Sequence, residues 1–453
     1  MKIDNNRRAF YKSLTALVIP IAIQNLLGAL VGSADTLMLG YVGQDELAAV
    51  SLANQYVFIL WGIFFGISSA ATLMNAQYWG KGDLKTIQAV FGIAFKICLL
   101  VTLVVSVGCI CFPKQLMTLY TDDMTLIGIG VTYLRAVGGS YLIMSFGQAY
   151  MCTLRSVEQA KKSTIISTIT VVINVFLNAV FIFGLFGAPK MGVLGVAIAT
   201  MIARVVEFVI CIADYIHGSI FKPDLQLLFG RHRELSKDFA KYAGPALAND
   251  LIWTLAFSTY SIILGHLNND MVAAASVATT IRDLFTTVCF GISAAGTVIL
   301  GKDLGADKLD LAKRDATSLC KITFIFAVLL ATVMVILRHP MMSLFTLTER
   351  AYNYLDIMMI ISSYYIIGQA MNTLWIAGIF RSGGNTKFGL ICDTITMWGV
   401  SVPLGFLSAF VFKFPPMLVY FLLCMDEFWK MPVVIKYYRS NKWMNNITRD
   451  NIL

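Results

Sequence analysis

Oxygen-bearing side chains occur at a few places in apolar stretches of this chain. Asp35 lies within the apolar residues 14–43, and Asn174 and Asn178 lie four residues apart in a second apolar stretch. Thr200 lies in a third. Carboxylate, amide and hydroxyl oxygens suit a proton or a hard cation such as Na⁺. These four residues therefore form a candidate cation site.

The carboxylate of Asp35 is the costliest of these groups to place in a membrane. A charged side chain near the bilayer centre costs about 2.5–3.5 kcal/mol on insertion scales, so it is usually retained for ion or proton handling. Asn174 and Asn178 share one helix face because of their spacing. Three structural alternatives stay open: Asp35 facing water at a helix end, the asparagines only joining helices, and Thr200 bonding its own helix backbone.

Two further carboxylates and one proline are candidates for function. Asp250 lies in the apolar stretch PALANDLIW, and Asp393 lies in LICDTITMW. Either acid could bind a cation or the substrate, or could form an ion pair with Arg282 or another buried base. Pro20 interrupts the first apolar stretch. Because proline removes a helix hydrogen bond, it predicts either a fixed kink or a hinge there.

No constellation in the sequence indicates catalysis. The stretch GTVILGK resembles a phosphate-binding loop, but Asp303 replaces the Ser or Thr that follows the lysine in such loops. The motifs HExxH and GxSxG are absent, and the 4 histidines lie far apart along the chain. We therefore expect no enzyme activity, no metal site and no cofactor besides H⁺ or Na⁺ as a coupling ion.

The composition is typical of a protein that lies almost entirely in a membrane. Of its 453 residues, 58% are hydrophobic and 13% are charged, whereas soluble domains are roughly 45–50% apolar and about 25% charged. The mean hydropathy is +0.74. The formal net charge is +9. Because the basic residues lie in short loops between apolar stretches, they indicate membrane topology rather than nucleic-acid binding.

The hydropathy pattern predicts an all-α protein with twelve transmembrane helices, at about 20 residues for each span. These helices lie near 14–38, 50–78, 87–112, 124–153, 163–187, 191–216, 243–267, 271–300, 315–337, 352–380, 388–412 and 416–438. Lys and Arg cluster in alternate loops and in both tails, so both termini are expected in the cytoplasm. We expect a monomer that passes many times through the plasma-membrane bilayer.

The two halves of the chain repeat each other. FGISSA in the first half matches FGISAA in the second, and at the same separation Gly80 matches Gly305. Each half contains an even number of predicted helices, so both enter the membrane from the same side as parallel repeats. Tyr260 stands at the position that matches Asp35. The halves therefore share a scaffold, but their functional side chains differ.

The repeats predict two lobes around a central cavity. The N-lobe is residues 1–216, with six helices, and the C-lobe is residues 243–453, with six helices and a cytoplasmic tail. A basic cytoplasmic connector, 217–242, which includes Lys222, joins them. Two bundles around one cavity are typical of transporters.

Several stretches together resemble the multidrug and toxic compound extrusion (MATE) transporters, over essentially the whole chain. The matching stretches are IPIAIQNLLG, DTLMLGYVG, NVFLNAVFIFG, GVAIAT, PALANDLIW, FRSGGNTKF and CDTITMW. The resemblance implies an antiporter that exports bulky, often cationic or amphipathic compounds, driven by inward movement of H⁺ or Na⁺. Asn385 departs from the GGDT pattern that is common in the family.

The resemblance also implies roles for single residues. The residues that match the family's N-lobe cation site are Asp35, Asn174, Asn178 and Thr200. Pro20 matches the proline at which the first helix of the family bends. Asp250 stands where many members have glutamate, which is one methylene longer, so the resemblance supports its role less directly.

The expected function is a cation-coupled antiporter that exports structurally diverse drugs or toxic organic compounds by alternating access. Binding of H⁺ or Na⁺ would neutralise Asp35 and reposition the first helix. The alternative is a flippase for a lipid-linked sugar or a peptidoglycan precursor, which needs a basic cavity for a pyrophosphate. The bases that keep this alternative open are Lys96, Arg135, Arg282 and Lys321.

Overall fold

The structure is a computed structural model that describes residues 2–218, 220, 223–345, 347–450 and 452–453. Side chains are described throughout these ranges except at 2–7, 29–31, 33–34 and 36. Lys222, which belongs to the predicted basic connector, lies outside the described residues. The regular elements of the described part are all helices, which confirms the all-α prediction.

The first half of the chain forms six long helical stretches, the second of which is divided. Its helices are α1 (Lys2–Gly40), α2 (Gln44–Ala53), α3 (Gln55–Lys81), α4 (Leu84–Cys111), α5 (Pro113–Thr118), α6 (Met124–Ser156), α7 (Ala160–Phe183), α8 (Gly192–His217) and α9 (Leu225–Phe229). The span predicted at 50–78 is confirmed within the candidate membrane span Gln44–Lys81, but it begins earlier than predicted and is divided in two. Asn54 separates α2 from α3, and its side-chain oxygen accepts a hydrogen bond from the hydroxyl of Tyr133 in α6 at 3.0 Å.

The second half has longer first helices and more irregular last ones. Its helices are α10 (Arg233–Gly265), α11 (Asn269–Gly305), α12 (Leu309–Met342), α13 (Glu349–Thr373), α14 (Thr386–Asp393), α15 (Val402–Phe406), α16 (Pro416–Leu423) and α17 (Asp426–Arg439). Three π-helical segments extend or join them: Leu374–Phe380, Thr394–Ser401 and Leu407–Val411. Because π-helical turns are rare but frequent at functional sites, they draw attention to the tenth and eleventh spans.

Grouped into spans, the helices of the described part of the chain form twelve helical stretches in the predicted order. Ten of them, within the described part of the chain, are long and apolar enough to cross a membrane. The other two are α13 with its π-helical continuation, and α16 followed by α17. A span needs about 20 residues, so α16 and α17 reach that length only together. The charged residues Asp426, Glu427 and Lys430 also make α17 less apolar.

The chain divides into two compact units. Unit 1 consists mainly of α1 up to Ala22, residues 76–82 and residues 240–450. Unit 2 consists mainly of residues 23–75 and 83–239. The division of the chain into lobes at 1–216 and 243–453 stays a prediction.

Each unit has its own packed interior. In unit 2, α6 packs against α2, α4, α7 and α8, and Phe91, Phe146 and Tyr150 form a buried aromatic cluster between α4 and α6. In unit 1, α11 packs against α12 and α13, and the buried side chains include Met271 and Met358. These helices form the rigid scaffold for the polar groups described below.

Two matched glycines allow the ends of α3 and α11 to touch within unit 1. A Cβ atom on Gly80 would overlap the backbone carbonyl of Lys302, and a Cβ atom on Gly305 would overlap that of Gln77. The two contacts are related by the sequence repeat, in which Gly80 matches Gly305 and Gln77 matches Lys302. The two contacts therefore follow the sequence repeat.

Candidate functional site

The four residues of the predicted cation site lie together in unit 2. Asn174 and Asn178 lie one turn apart on α7 and are both buried. Thr200 lies on α8, which packs against α7. Asp35 lies in the second part of α1 and is half-buried. Three helices therefore position the site.

Hydrogen bonds connect these four side chains in sequence. Nδ2 of Asn178 lies 2.6 Å from Oδ1 of Asp35 and 3.4 Å from Oδ1 of Asn174. Nδ2 of Asn174 lies 3.4 Å from the hydroxyl oxygen of Thr200. The first contact is the shortest, as expected when the acceptor is charged. Asn178 thus links the carboxylate on α1 to the polar groups of α7 and α8.

The carbonyl oxygen of Asn178 is available for one more interaction. It is buried and has no hydrogen-bond partner among the residues that the structure describes, while the amide nitrogen faces Asp35 and Asn174. Buried polar atoms are rarely left unpaired in native proteins. A proton on Asp35 would supply a donor, and a bound cation would supply a positive charge. The site therefore has the chemistry for either ligand.

An ion pair lies close to this site on α8. Nη1 of Arg204 lies 2.7 Å from Oε2 of Glu207, and Arg204 also interacts electrostatically with Asp35. Glu207 is buried and neutralises much of the guanidinium charge. Within the described ranges, Asp35 has no salt bridge of its own. It can therefore exchange a cation without first breaking an ion pair.

Two tyrosines of α6 near the site were not predicted as part of it. Tyr133 interacts electrostatically with Asp35 and donates a hydrogen bond to Asn54. Tyr141 interacts electrostatically with Tyr133 and Arg204, and its hydroxyl has no partner in the described structure. Their spacing of eight residues puts both on one face of α6. That periodicity was the signal available in the sequence.

The two acids Asp250 and Asp393 both form ion pairs in unit 1. Nη2 of Arg381 lies 3.0 Å from Oδ1 of Asp250. Nζ of Lys430 lies 2.9 Å from Oδ1 of Asp393, and Asn249 donates to the other oxygen of Asp393 at 3.0 Å. The geometry is that of the ion-pair alternative. A role for these acids in binding a cation or substrate stays a prediction.

Arg282, the base named from the sequence as a partner for these acids, pairs with neither. Its guanidinium lies 4.9 Å from the ring centre of Tyr365 and 5.6 Å from that of Phe257. Both distances are typical of cation–π contacts. Its nearest carboxylate is that of the adjacent Asp283, at 3.7 Å. The two acids pair instead with other buried bases, Arg381 and Lys430, which is the second form of the ion-pair alternative, while aromatic rings of α10 and α13 surround the guanidinium of Arg282.

Two of the four bases that a pyrophosphate cavity would need are engaged elsewhere. Nζ of Lys96 donates to the carbonyl oxygen of Gly230 at 2.8 Å. Arg282 is buried among the rings described above, and Arg135 and Lys321 are exposed. These positions offer no specific support for a flippase.

Pro20 lies inside α1, which is helical on both sides of it. It comes just before the point at which α1 passes from unit 1 to unit 2. Beyond that point, Nε2 of Gln24 donates to the hydroxyl of Ser167 on α7 at 2.5 Å. Oε1 of Gln24 accepts from Nη1 of Arg155 on α6 at 3.2 Å. The part of α1 that carries Asp35 is thus anchored to unit 2 just after the proline.

Comparisons with known proteins find similarity over nearly the whole chain. The MatE family model matches residues 20–180 and 245–407. The uncharacterized transporter YisQ of Bacillus subtilis is 23% identical over 432 residues, which is 95% of each chain. The probable multidrug resistance protein NorM of Thermotoga maritima is 22% identical and covers 97% of this chain and 95% of its own.

A solved structure has the same fold. It is described as the outward-facing conformation of a multidrug resistance MATE family transporter of the MOP superfamily. It superposes with a TM-score of 0.85 and 18% identity, covering 95% of each chain. The twelve-helix, two-repeat fold class predicted from the sequence is confirmed by this similarity.

Proposed function

The chain belongs to the MatE family of membrane transporters, and on that premise we propose that it is a cation-coupled antiporter with Asp35 as its coupling carboxylate. It exports drugs or toxic organic compounds by alternating access, in exchange for H⁺ or Na⁺. The observation that carries the proposal is the hydrogen bond from Asn178 to Asp35 at 2.6 Å. Among the described residues, it joins an acid that forms no salt bridge to an amide whose carbonyl oxygen has no hydrogen-bond partner.

Ionised Asp35 holds the site in the arrangement described above. The charged carboxylate accepts the amide hydrogen of Asn178 and attracts an organic cation. Binding of a proton removes that charge and converts one carboxyl oxygen into a donor. The carbonyl oxygen of Asn178 can accept a hydrogen bond from this carboxyl group only after the side-chain amide of Asn178 rotates. That rotation breaks the contact between Asn178 and Asn174. Na⁺ would instead bind the oxygens of Asp35, Asn178 and Thr200.

In this mechanism the first helix transmits the change. The Gln24 anchor keeps α1 attached to α6 and α7 just beyond Pro20. A proline inside a helix leaves one backbone hydrogen bond unmade, so bending there costs less than elsewhere. Neutralisation of Asp35 therefore bends α1 at Pro20, and this rearrangement displaces the substrate.

The proposed substrates are structurally diverse and apolar or cationic. Support comes from the name of the Thermotoga maritima relative, a probable multidrug resistance protein. The chain itself contains 21 methionines and 12% aromatic residues. Such side chains adapt to ligands of different shape. We propose further that the protein acts as a monomer in the plasma membrane, with both termini in the cytoplasm.

Transport into proteoliposomes tests this function. Purified protein is reconstituted, and a pH gradient or a Na⁺ gradient is imposed separately over a panel of cationic and neutral dyes. We expect one of the two gradients to drive dye movement, and organic cations to compete with it. Movement that neither gradient drives would contradict the proposal. Competition by lipid-linked pyrophosphates but not by organic cations would favour the flippase instead.

A further inference from the structure

A buried cluster of acids in unit 1 is not used by the proposed function. α17 begins with Asp426 and Glu427 and carries Lys430 one turn later; the three residues are 0%, 2% and 2% exposed. Asp393, at the end of α14, is linked to them through Lys430. Three carboxyl groups and one ammonium group thus share one buried position.

Two of the three carboxylates are fully engaged. Nζ of Lys430 lies 2.9 Å from Asp393 and 3.1 Å from Glu427. Asn249 donates to Asp393 at 3.0 Å, and Asn372 donates to Oε2 of Glu427 at 2.8 Å. Each of these acids therefore has one cation and one amide. That is the pairing that buried ionised carboxylates need.

Asp426 has no comparable partners. Neither of its carboxylate oxygens has a hydrogen-bond partner among the described residues, and Lys430 and Arg282 act on it only through their charge. An ionised carboxylate in this position is strongly unfavourable, because little replaces its lost water. A proton on Asp426 removes the charge.

The groups that face Asp426 leave the cluster with excess negative charge. The charged ones are Asp393, Glu427, Lys430 and Arg282. The neutral titratable ones are Tyr260, Tyr364, Tyr365 and Cys424. Lys430 and Arg282 supply two positive charges, and Arg282 also lies 3.7 Å from the carboxylate of Asp283, so three carboxylates exceed the positive charge of the cluster by at least one. The hydroxyls of Tyr260 and Tyr365 have no partner in the described part of unit 1 and are available to a protonated carboxyl.

The position of Asp426 along its span also indicates an ion site. The span is interrupted between α16 and α17, and α17 begins at Asp426. At 1.5 Å per residue, Asp426 lies about 15 Å from Pro416 along the helix axis. That is about half of the roughly 30 Å hydrocarbon thickness. Secondary transporters typically bind their coupling ions at discontinuous helices near the bilayer midplane.

The cluster suits a proton better than a metal ion. Lys430 already occupies the place between Asp393 and Glu427 where a metal ion would lie. Within the described ranges, no three His, Cys, Asp or Glu side chains could hold a metal ion. A separate cation next to the ammonium group would be repelled, whereas a proton bonded to a carboxylate oxygen of Asp426 cancels that residue's charge and leaves a neutral carboxyl group.

We propose that Asp426 is a second coupling acid that carries a proton, in addition to the coupling cation at Asp35. The coupling role of Asp426 rests on the proposed function. The protonation of Asp426 rests only on the burial and contacts of that residue. Because Asp426 is 0% exposed, its proton is occluded in this structure. Exchange with water requires another conformation, as alternating access provides.

Infrared difference spectroscopy of the purified full-length protein tests the proton itself. When the pH is stepped, we expect a protonated-carboxyl band that disappears in Asp426→Asn and moves in frequency in Asp426→Glu. The band should persist in Asp35→Asn. It should also persist in Asp310→Asn, which neutralises an exposed acid of the same unit. If Asp426→Asn retains the band in full, the proposal is wrong.

The steady substrate gradient tests the coupling role. With the membrane potential clamped at zero, the ratio of substrate concentrations across the membrane depends on the ratio of proton concentrations. The exponent of that dependence is the number of protons exchanged for each substrate molecule. We expect this exponent to fall by one in Asp426→Asn and to stay at the wild-type value in Asp310→Asn. An unchanged exponent in Asp426→Asn overturns the second coupling site. If the wild type shows no cation-driven transport, the proposed function fails instead, and the infrared result still decides whether Asp426 holds a proton.

Discussion

Replacing Asn178 by leucine separates the hydrogen bond to Asp35 from the packing of α7. Leucine keeps a similar volume but removes the donor that lies 2.6 Å from the carboxylate. A hydrogen bond to a charged group contributes about 1.5–3 kcal/mol. One pH unit corresponds to about 1.4 kcal/mol. Removing this bond therefore shifts the balance between ionised and protonated Asp35 by about one to two pH units toward the protonated form.

The assay is the binding of a fluorescent organic cation to purified protein as a function of pH. Because such a substrate needs ionised Asp35, we expect the midpoint of binding in Asn178→Leu to move by about one to two pH units to higher pH. The control is the same substitution in an Asp35→Asn background. There no pH midpoint of this kind should remain for the substitution to shift, because the carboxylate that titrates is gone. An equal shift in both backgrounds would refute the reasoning.

Two further predictions concern unit 1 and the first helix. Lys430→Met leaves Asp393 and Glu427 buried without their shared cation, so we expect a loss of about 3–5 kcal/mol, measured as a lower melting temperature in detergent. The double variant with Asp393→Asn should recover part of this loss, and no recovery would argue against the ion pair. Pro20→Ala restores a helix hydrogen bond, so we expect slower export with unchanged dye affinity; export at the wild-type rate would contradict a hinge.

The helices and repeats could be predicted because each leaves a local pattern. Long apolar stretches mark the spans, and matched residues such as Gly80 and Gly305 mark the duplication. The short interruption at Asn54 was not predicted, and the hydrogen bond that its side chain accepts from Tyr133 on another helix leaves no pattern in the sequence. The interruption before Asp426 was missed for a similar reason, since polar residues in an apolar span do not reveal whether the helix continues.

The candidate site was predictable in its members but not in its hydrogen bonding. Asp35, Asn174 and Asn178 stand out because polar side chains are rare in their apolar stretches. Which amide bonds the carboxylate depends on how α1 lies against α7, which spacing does not determine. In unit 1 the pair of Asp393 and Lys430 joins two different spans. Spacing along the sequence does not show that Lys430 meets an acid on another span.

The most direct test of the central claim is dye transport in everted membrane vesicles that carry Asp35→Asn. The matched control is Asp45→Asn, which removes an exposed carboxylate of the same unit. Both proteins are expressed to equal levels, and the same cation gradient is imposed. We predict that Asp35→Asn loses gradient-driven transport while Asp45→Asn keeps it. Coupled transport by Asp35→Asn at the wild-type level would contradict the assignment of Asp35 as the coupling carboxylate.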